Sequence, residues 1–186
     1  MGSLGCQIAF KVADKLGYRL VWRELINEAA HRAETPEVAL AAIDELGLLG
    51  ICPSPKDCQA YHQAVEDIML ELAEKGNIVF LGRAGQVILG NRQDTLHVRL
   101  VAPITTRILR IAQRMGITEE CANAQVTASD RYRSAYLRRY YRVNWDDPNL
   151  YHLIINTATF QIDQVAELIC QSFHTCIGLN HVVVPS

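Results

Sequence analysis

The sequence predicts an α/β fold built on a mainly parallel sheet. Two observations carry that expectation. Short, continuous apolar runs bounded by glycine or polar residues recur along the chain, the pattern of strands buried on both faces. They alternate with longer stretches whose apolar residues repeat at helical spacing, as in strand–helix–strand units. The composition agrees. The 186 residues are 49% hydrophobic and 20% charged, with a formal net charge of −2. That is the length of one ordinary domain, too apolar for a disordered chain. Near-neutral charge argues against a globally basic nucleic-acid binder. No apolar run approaches the ~20 residues that cross a bilayer.

The elements follow in order. Residues 5–17 read as a helix after a glycine turn, because Ile8, Ala9, Val12, Ala13 and Leu16 share a stripe and Gly17 is a stop. Tyr18–Val21 is a short extended piece. Residues 22–33 are helical, with Trp22, Leu25, Ile26 and Ala29 on one face. Thr35-Pro36 opens a further helix ending near Gly47. Cys52-Pro53-Ser54-Pro55 cannot continue a helix and forms a loop. A long helix runs from about Lys56 to Lys75 and stops at Gly76. Asn77–Leu81 and Leu96–Val101 are strands, Pro103–Met115 a helix, and residues 118–142 a long helix. Leu150–Asn156 is a strand, Ile162–Phe173 a helix, and His181–Val184 a candidate last strand.

The six cysteines, Cys6, Cys52, Cys58, Cys121, Cys170 and Cys176, include no C-x-x-C pair, and the opening residues lack the basic start and apolar stretch of a secretory leader. Reduced thiols in a cytoplasmic protein are the expectation. The six histidines show no ligand spacing and no nucleophile–histidine arrangement stands out.

Four segments could carry chemistry. The glycine turn at Gly2-Ser3-Leu4-Gly5 enters a helix, where backbone amides attract anions, although it lacks the lysine and hydroxyl of the full G-x-x-x-x-G-K-[ST] loop. A simple helix cap is the plainer reading of the turn by itself. Gly82-Arg83-Ala84-Gly85 follows a strand, the place where ligands bind in open α/β sheets, and suits bidentate contact of Arg83 with a phosphate; a surface arginine in a turn fits equally. Arg131, Arg133, Arg138, Arg139 and Arg142 crowd one helical segment with Asp130 as its lone acid. Arg131, Arg138 and Arg142 fall on one face, which points to a phosphate-bearing partner. The interleaved Tyr132, Tyr136, Tyr140 and Tyr141 more often pack than stack on bases, so nucleic acid is a secondary reading. Asn144-Trp145-Asp146-Asp147-Pro148 reads as a turn, with magnesium held through water as the lesser alternative.

In order and spacing these pieces resemble the cytidylate kinase-like family. The resemblance rests on Gly2-Ser3-Leu4-Gly5-Cys6-Gln7-Ile8-Ala9 leading to Leu16-Gly17, on Glu24-Leu25-Ile26, and on Ile78–Leu89 with its Gly82-Arg83 pair. Val98–Arg114, Asp130–Tyr141, Asn144–Pro148, Tyr151 and Ile155-Asn156-Thr157 complete it, from residue 2 to about 169. It implies a three-layer P-loop kinase fold with helices on both faces, a single domain over 1–186, a helical acceptor subdomain at about 22–75 and a lid at about 116–148. It further implies transfer of the γ-phosphoryl of ATP, with Mg2+, to CMP, dCMP or a related nucleotide. Gly2, Ser3 and Gly5 match the phosphate loop, Arg83 the arginine on the acceptor's phosphate, and Arg131 and Arg133 the lid arginines that reach the transferring phosphates.

The chain departs from that pattern. Gly5 and Cys6 stand where CMP kinases carry lysine and a hydroxyl residue, Leu4 where a glycine is common, and Ala84 where CMP kinases have aspartate. Trp22-Arg23 stand where an acidic residue often occurs. The family's short apolar strand ahead of the loop, which lies in the middle of its sheet, has no counterpart before Gly2. The expectation is a truncated start, or a gap filled by another strand, either His181–Val184 or a segment of a second copy in a homo-oligomer. Two functions follow. One is a nucleoside-monophosphate kinase. The other is a catalytically inactive nucleotide-binding or protein-interaction module of the same fold. Neither calls for a membrane.

Overall fold

The computed structural model describes residues 1–22, 28, 32, 55–90 and 92–179. Helix α1 (Gly5–Leu16) buries Ile8, Ala9, Val12 and Ala13 on one face and ends at Gly17, whose left-handed φ of 66° lets its N–H reach the carbonyls of Ala13 and Asp14. Strand β1 (Arg19–Val21) follows. The long helix is α2 (Pro55–Lys75), and Gly76 ends it in the left-handed region. Then come β2 (Ile78–Phe80), the one-turn helix α3 (Gly85–Ile88), β3 (Val98–Val101) and α4 (Ile104–Met115). Helix α5 (Glu119–Tyr141) starts at Thr118, whose hydroxyl accepts from the Cys121 N–H, and Glu119 and Glu120 sit in its electropositive first turn. Strand β4 (Leu153–Asn156) and helix α6 (Ile162–Leu179) complete the described chain.

The expected helices over 22–33 and from Thr35 to Gly47, the loop at 52–54, Glu24-Leu25-Ile26 and the strand at His181–Val184 lie outside the described residues, apart from Trp22, Glu28 and Arg32. Of residues 22–75, where a helical acceptor subdomain is expected, mainly α2 is described. Several readings shifted, and the strand expected over Leu96–Val101 is confined to Val98–Val101. The strand expected from Leu150 begins at Leu153, because Asp147 caps a 3-10 turn at Pro148–Leu150. Helix α6 runs past Phe173 to Leu179. Arg142 is not on the face of α5 shared by Arg131 and Arg138: it is the C-cap, with φ 57°.

The strands pair in twos. β1 runs parallel to β2, with Arg19, Leu20 and Val21 opposite Ile78, Val79 and Phe80. β3 runs parallel to β4, with Val98 opposite Leu153 and Val101 opposite Asn156. Among the described residues no strand joins β2 to β3, so the sheet is two ribbons. Both ribbons point the same way, because the segments after β2, β3 and β4 all meet residues 1–5: Leu81 lies beside Gly5, Arg107 against Gly2, and Arg110 links Gly2 to Thr157.

Helices cover both faces. On one side α2 packs Tyr61, Val65, Ile68 and Met69 against Val21, Ile78 and Phe80. On the other, α1 and α6 pack Ile8, Val12, Val165, Ala166 and Ile169 against Ile155, Val79, Val98 and Leu100. The alternation Ile78 and Phe80 to one side, Val79 to the other, is the period of two of a strand. Each fully buried side chain such as Ile8, Val65 or Met69 contributes about 1.5–3 kcal/mol over its exposed state. A third cluster, Ile111, Ala112, Ala122 and Val126, locks α4 to α5.

Candidate functional site

A cavity of about 1660 Å³ runs between the ribbons and opens over the carboxyl ends of the strands. At that end it is lined by the Gly2–Gly5 loop, Arg83, Arg107, Arg110, Arg131 and Arg133. Gly2 at φ 82° and Leu4 at φ 61° bend the loop into α1, whose first-turn amides have no intrahelical acceptor and face the place an anion would sit.

Helix α4 holds this loop. A Cβ on Gly2 would lie 2.8 Å from both the Cβ and the carbonyl oxygen of Arg107, so only glycine fits there. The Arg107 Nη1 donates to the Met1 carbonyl at 3.3 Å and meets Asp130 Oδ2 at 2.7 Å. Arg110 donates to the Gly2 carbonyl at 3.3 Å, to Thr157 Oγ1 at 3.1 Å and to the Thr157 carbonyl at 2.8 Å. Thr157 is itself fully buried after β4. The loop is therefore tied to α4, α5 and the end of β4 at once.

Arg83 occupies the turn after β2, where Gly82, Arg83 and Ala84 take three consecutive left-handed conformations at φ 81°, 58° and 59°. Non-glycine residues there cost about 1–3 kcal/mol each, and such strain gathers at functional sites. Burial lowers the Arg83 pKa, and the Tyr136 phenol on α5 acts in the opposite direction. Burial also lowers that of Arg133, which Asp130 opposes and Arg107 reinforces. Arg131 and Arg133 nevertheless both keep solvent-exposed surface. The structure thus gathers Gly2, Ser3, Gly5, Arg83, Arg131 and Arg133 around one cavity. Arg138, Arg139 and Arg142 are not on its wall.

The tyrosines pack. His62 on α2 stacks within 3.8 Å of Tyr140 and 5.3 Å of Tyr136, and its Nδ1 lies 3.2 Å from the Tyr136 hydroxyl. Burial first, then Arg139, pushes the His62 pKa down to about 4. Its Nε2 is buried without a partner on the cavity side that Tyr61 also lines.

Asn144–Pro148 is the expected turn. Arg99 donates to the Trp145 carbonyl at 2.7 Å, pairs with Asp146 and lies 4.7 Å from the Trp145 ring. Asp147 accepts from the Asn149 N–H at 2.9 Å. Asp146 pairs with Arg99 and Asp147 accepts from the Asn149 N–H, contacts that fit the turn reading of this segment. Among the described residues no group of three His, Cys, Asp or Glu could hold a metal ion. Cys6 stands where a magnesium-facing hydroxyl would, and among the described residues no cluster of carboxylates takes its place.

Sequence reasoning passed over Arg110 and Arg114 and used Arg107 only as part of a resemblance. Their spacing of i, i+3, i+7 on α4 is a helical face, and that was the available signal.

The arrangement is an anion site of loop amides and arginines at the carboxyl ends of parallel strands, and comparison with other proteins gives it a family. Residues 1–159 match the cytidylate kinase-like family. The chain belongs to that family. It is 28% identical to a cytidylate kinase of Ignicoccus hospitalis over 173 residues, covering 90% of this chain and 91% of that one. It is 26% identical to a cytidylate kinase of Halobacterium salinarum over 90% of this chain and 82% of the other. A uronate isomerase of Corynebacterium glutamicum is 24% identical over 99% of this chain, which spans 36% of that protein's length. An uncharacterised protein from Eubacterium ventriosum, known by crystal structure, superposes with a TM-score of 0.74 at 20% identity over 94% of this chain and 93% of the other, which supports the fold. Membership supports a nucleoside-monophosphate-kinase-like function with nucleotide substrates, and ATP with Mg2+ as the general co-reactants of such kinases. No helix of the cytidylate kinase-like chain, among the described residues, is long and apolar enough to cross a membrane.

Proposed function

We propose that the protein binds ATP and CMP, dCMP or a related nucleotide, and transfers the γ-phosphoryl group between them. The observation that carries this reading is the convergence of the glycine loop, Arg83, Arg131 and Arg133 on one cavity. The loop amides of Gly2, Ser3 and Gly5 hold the donor's phosphates. Arg83 holds the acceptor's phosphate from the opposite ribbon. An acceptor oxygen, already anionic, attacks the γ-phosphorus while the bond to the bridging β-oxygen breaks, so no protein base is required. Catalysis of this kind is positioning and neutralisation of charge, which Arg131 and Arg133 supply from the lid. Magnesium, arriving with ATP, would add further charge neutralisation to that supplied by the arginines. This reading places the protein in the cytoplasm, where its substrates are.

A second reading, nucleotide binding without transfer, is favoured by one observation. No lysine is among the described residues lining the cavity, and Cys6 replaces the magnesium-facing hydroxyl. The experiment incubates purified protein with ATP, Mg2+ and CMP, dCMP or UMP, and follows ADP release together with the melting temperature. Turnover supports the kinase. A rise in melting temperature without turnover supports the binding remnant. Neither response rejects both and leaves an interaction module.

A further inference from the structure

The arginines and the glycine loop leave part of the cavity without a role. Tyr61, His62 and Val65 of α2 line it together with Tyr136 and Leu137 of α5. These walls are aromatic and aliphatic, unlike the arginine end.

Two polar atoms are stranded on that wall. His62 is 8% exposed and Tyr61 3%. The His62 Nε2 and the Tyr61 Oη are both buried, and among the described residues neither has a hydrogen-bond partner. Burying such an atom unpaired is costly. The two residues are adjacent, with ring centroids 5.6 Å apart, so the stranded atoms belong to one place. The rest of the His62 ring is held: it stacks on Tyr140, and its Nδ1 lies 3.2 Å from the Tyr136 hydroxyl. Nε2 is what the packing leaves over.

The chemistry of the pair narrows what fits it. Burial lowers the His62 pKa and raises that of Tyr61, so both groups are uncharged at neutral pH. A neutral imidazole has one donor nitrogen and one acceptor nitrogen. Nδ1 spends one of these roles on the Tyr136 hydroxyl, and Nε2 keeps the other. The Tyr61 hydroxyl both donates and accepts. Whichever tautomer His62 takes, the two residues together offer a donor and an acceptor side by side. An anion gains more at Arg83. A sugar hydroxyl has the polarity but no flat face. A nucleobase has both: donors and acceptors along one edge, and ring faces that pack against tyrosine.

Tyr136 connects this wall to the phosphate end. Its hydroxyl touches His62, and the same phenol acts on the Arg83 pKa. A ligand whose phosphate rests on Arg83 can therefore reach Tyr61 and His62 with its other end.

We propose that the His62 Nε2 and the Tyr61 Oη receive the polar edge of the acceptor nucleotide's base, which makes these two residues the determinants of base preference. A small turn of either ring brings its polar atom to the cavity surface. This role rests on the proposed acceptor site at Arg83 and not on phosphoryl transfer, so binding alone tests it.

The full chain is titrated calorimetrically with CMP and with ribose 5-phosphate, which keeps the sugar and phosphate and lacks the base. Wild type is compared with His62→Phe and Tyr61→Phe, which keep an aromatic ring and remove the polar atom; the melting temperature of each unliganded variant checks that it is folded. Wild type should bind CMP at least about tenfold more tightly than ribose 5-phosphate. Each variant should bind CMP about tenfold more weakly and ribose 5-phosphate within about twofold of wild type. Unchanged CMP affinity in both variants overturns the proposal and leaves the acceptor site standing. Equal weakening of the two ligands also overturns it, since the residues then support the fold rather than the base. So does a wild type that binds both ligands alike. A wild type that binds neither rejects the acceptor site itself, and the base contacts with it.

Discussion

Gly2 lies so close to Arg107 that a Cβ on it would come within 2.8 Å of the arginine's own Cβ and carbonyl oxygen. The contact joins residues more than a hundred positions apart and seats the phosphate-loop candidate directly on α4. Gly2→Ala must move the loop or the helix, and it also forces alanine into a φ of 82°. The expected cost is about 2 kcal/mol or more in stability, with at least about tenfold weaker ATP binding. Denaturant unfolding and calorimetric titration check this, and unchanged binding would detach the loop from the nucleotide.

Asp130 couples helix α5 to the same place. Its carboxylate meets Arg107 at 2.7 Å, and both side chains are largely shielded, at 25% and 14% exposure. Asp130→Asn and Arg107→Met should each destabilise by about 1–3 kcal/mol, and the double variant by less than their sum, because each single change leaves a shielded partner unpaired. A double-mutant cycle in urea measures the coupling. Strict additivity would show that the pair contributes nothing beyond its separate side chains.

Arg83→Ala should abolish any CMP-dependent gain in melting temperature while leaving the ATP-dependent gain in place, since the two ligands are assigned to opposite ribbons. Thermal shift with each nucleotide separately decides the point. A retained CMP response removes Arg83 from the acceptor site.

Stability should fall as pH drops from about 6.5 to about 4. The His62 pKa is pushed down to about 4 in the fold, against 6.5 when exposed. In that window the unfolded chain takes up a proton that the folded chain refuses, so unfolding is favoured as pH falls. His62 is 8% exposed, and the full effect is about 3 kcal/mol. His97, also lowered by burial, acts in the same direction. Urea midpoints of the wild type and His62→Phe across pH 4–7 separate the contributions. The variant should show the shallower slope.

The chain can also be moved toward a fuller phosphate loop. A Cβ on Gly5 would meet only Leu81 Cδ1, at 4.0 Å, so a longer side chain is sterically tolerated there. Gly5→Lys combined with Cys6→Ser adds the charge and the hydroxyl that the loop lacks. It should raise CMP phosphorylation by at least about tenfold. An ADP-release assay with wild type alongside provides the comparison, and no gain would place the limitation elsewhere.

The fold was legible where local signals are strong. Asn77–Leu81 announced β2 because it is a continuous apolar run between glycines, and Gly17 and Gly116 ended their helices as expected. Leu150 was misassigned to a strand because Asp147 and Pro148 favour a 3-10 turn whose apolar residue looks the same in one dimension. Arg142 left the helical face because a cap residue obeys backbone geometry rather than periodicity. For the site, glycines and flanking arginines marked Gly2, Arg83, Arg131 and Arg133. Arg110 carried no such mark. Its importance comes from bonds to Gly2 and Thr157, contacts between segments that only the fold brings together.

The division of the sheet has a mechanical consequence. A continuous sheet behaves as a stiff plate along its hydrogen-bond direction. Among the described residues no ladder joins the two ribbons, and the cluster of α1 and α6 that holds Ile8, Val12 and Ile169 also takes in Val79 from one ribbon and Val98 and Leu100 from the other. Van der Waals contact is softer than a ladder and permits sliding. A displacement at Leu81, after β2, can therefore reach Arg107 on α4 by way of the glycine loop at the head of α1, which meets Leu81 at Gly5 and Arg107 at Gly2.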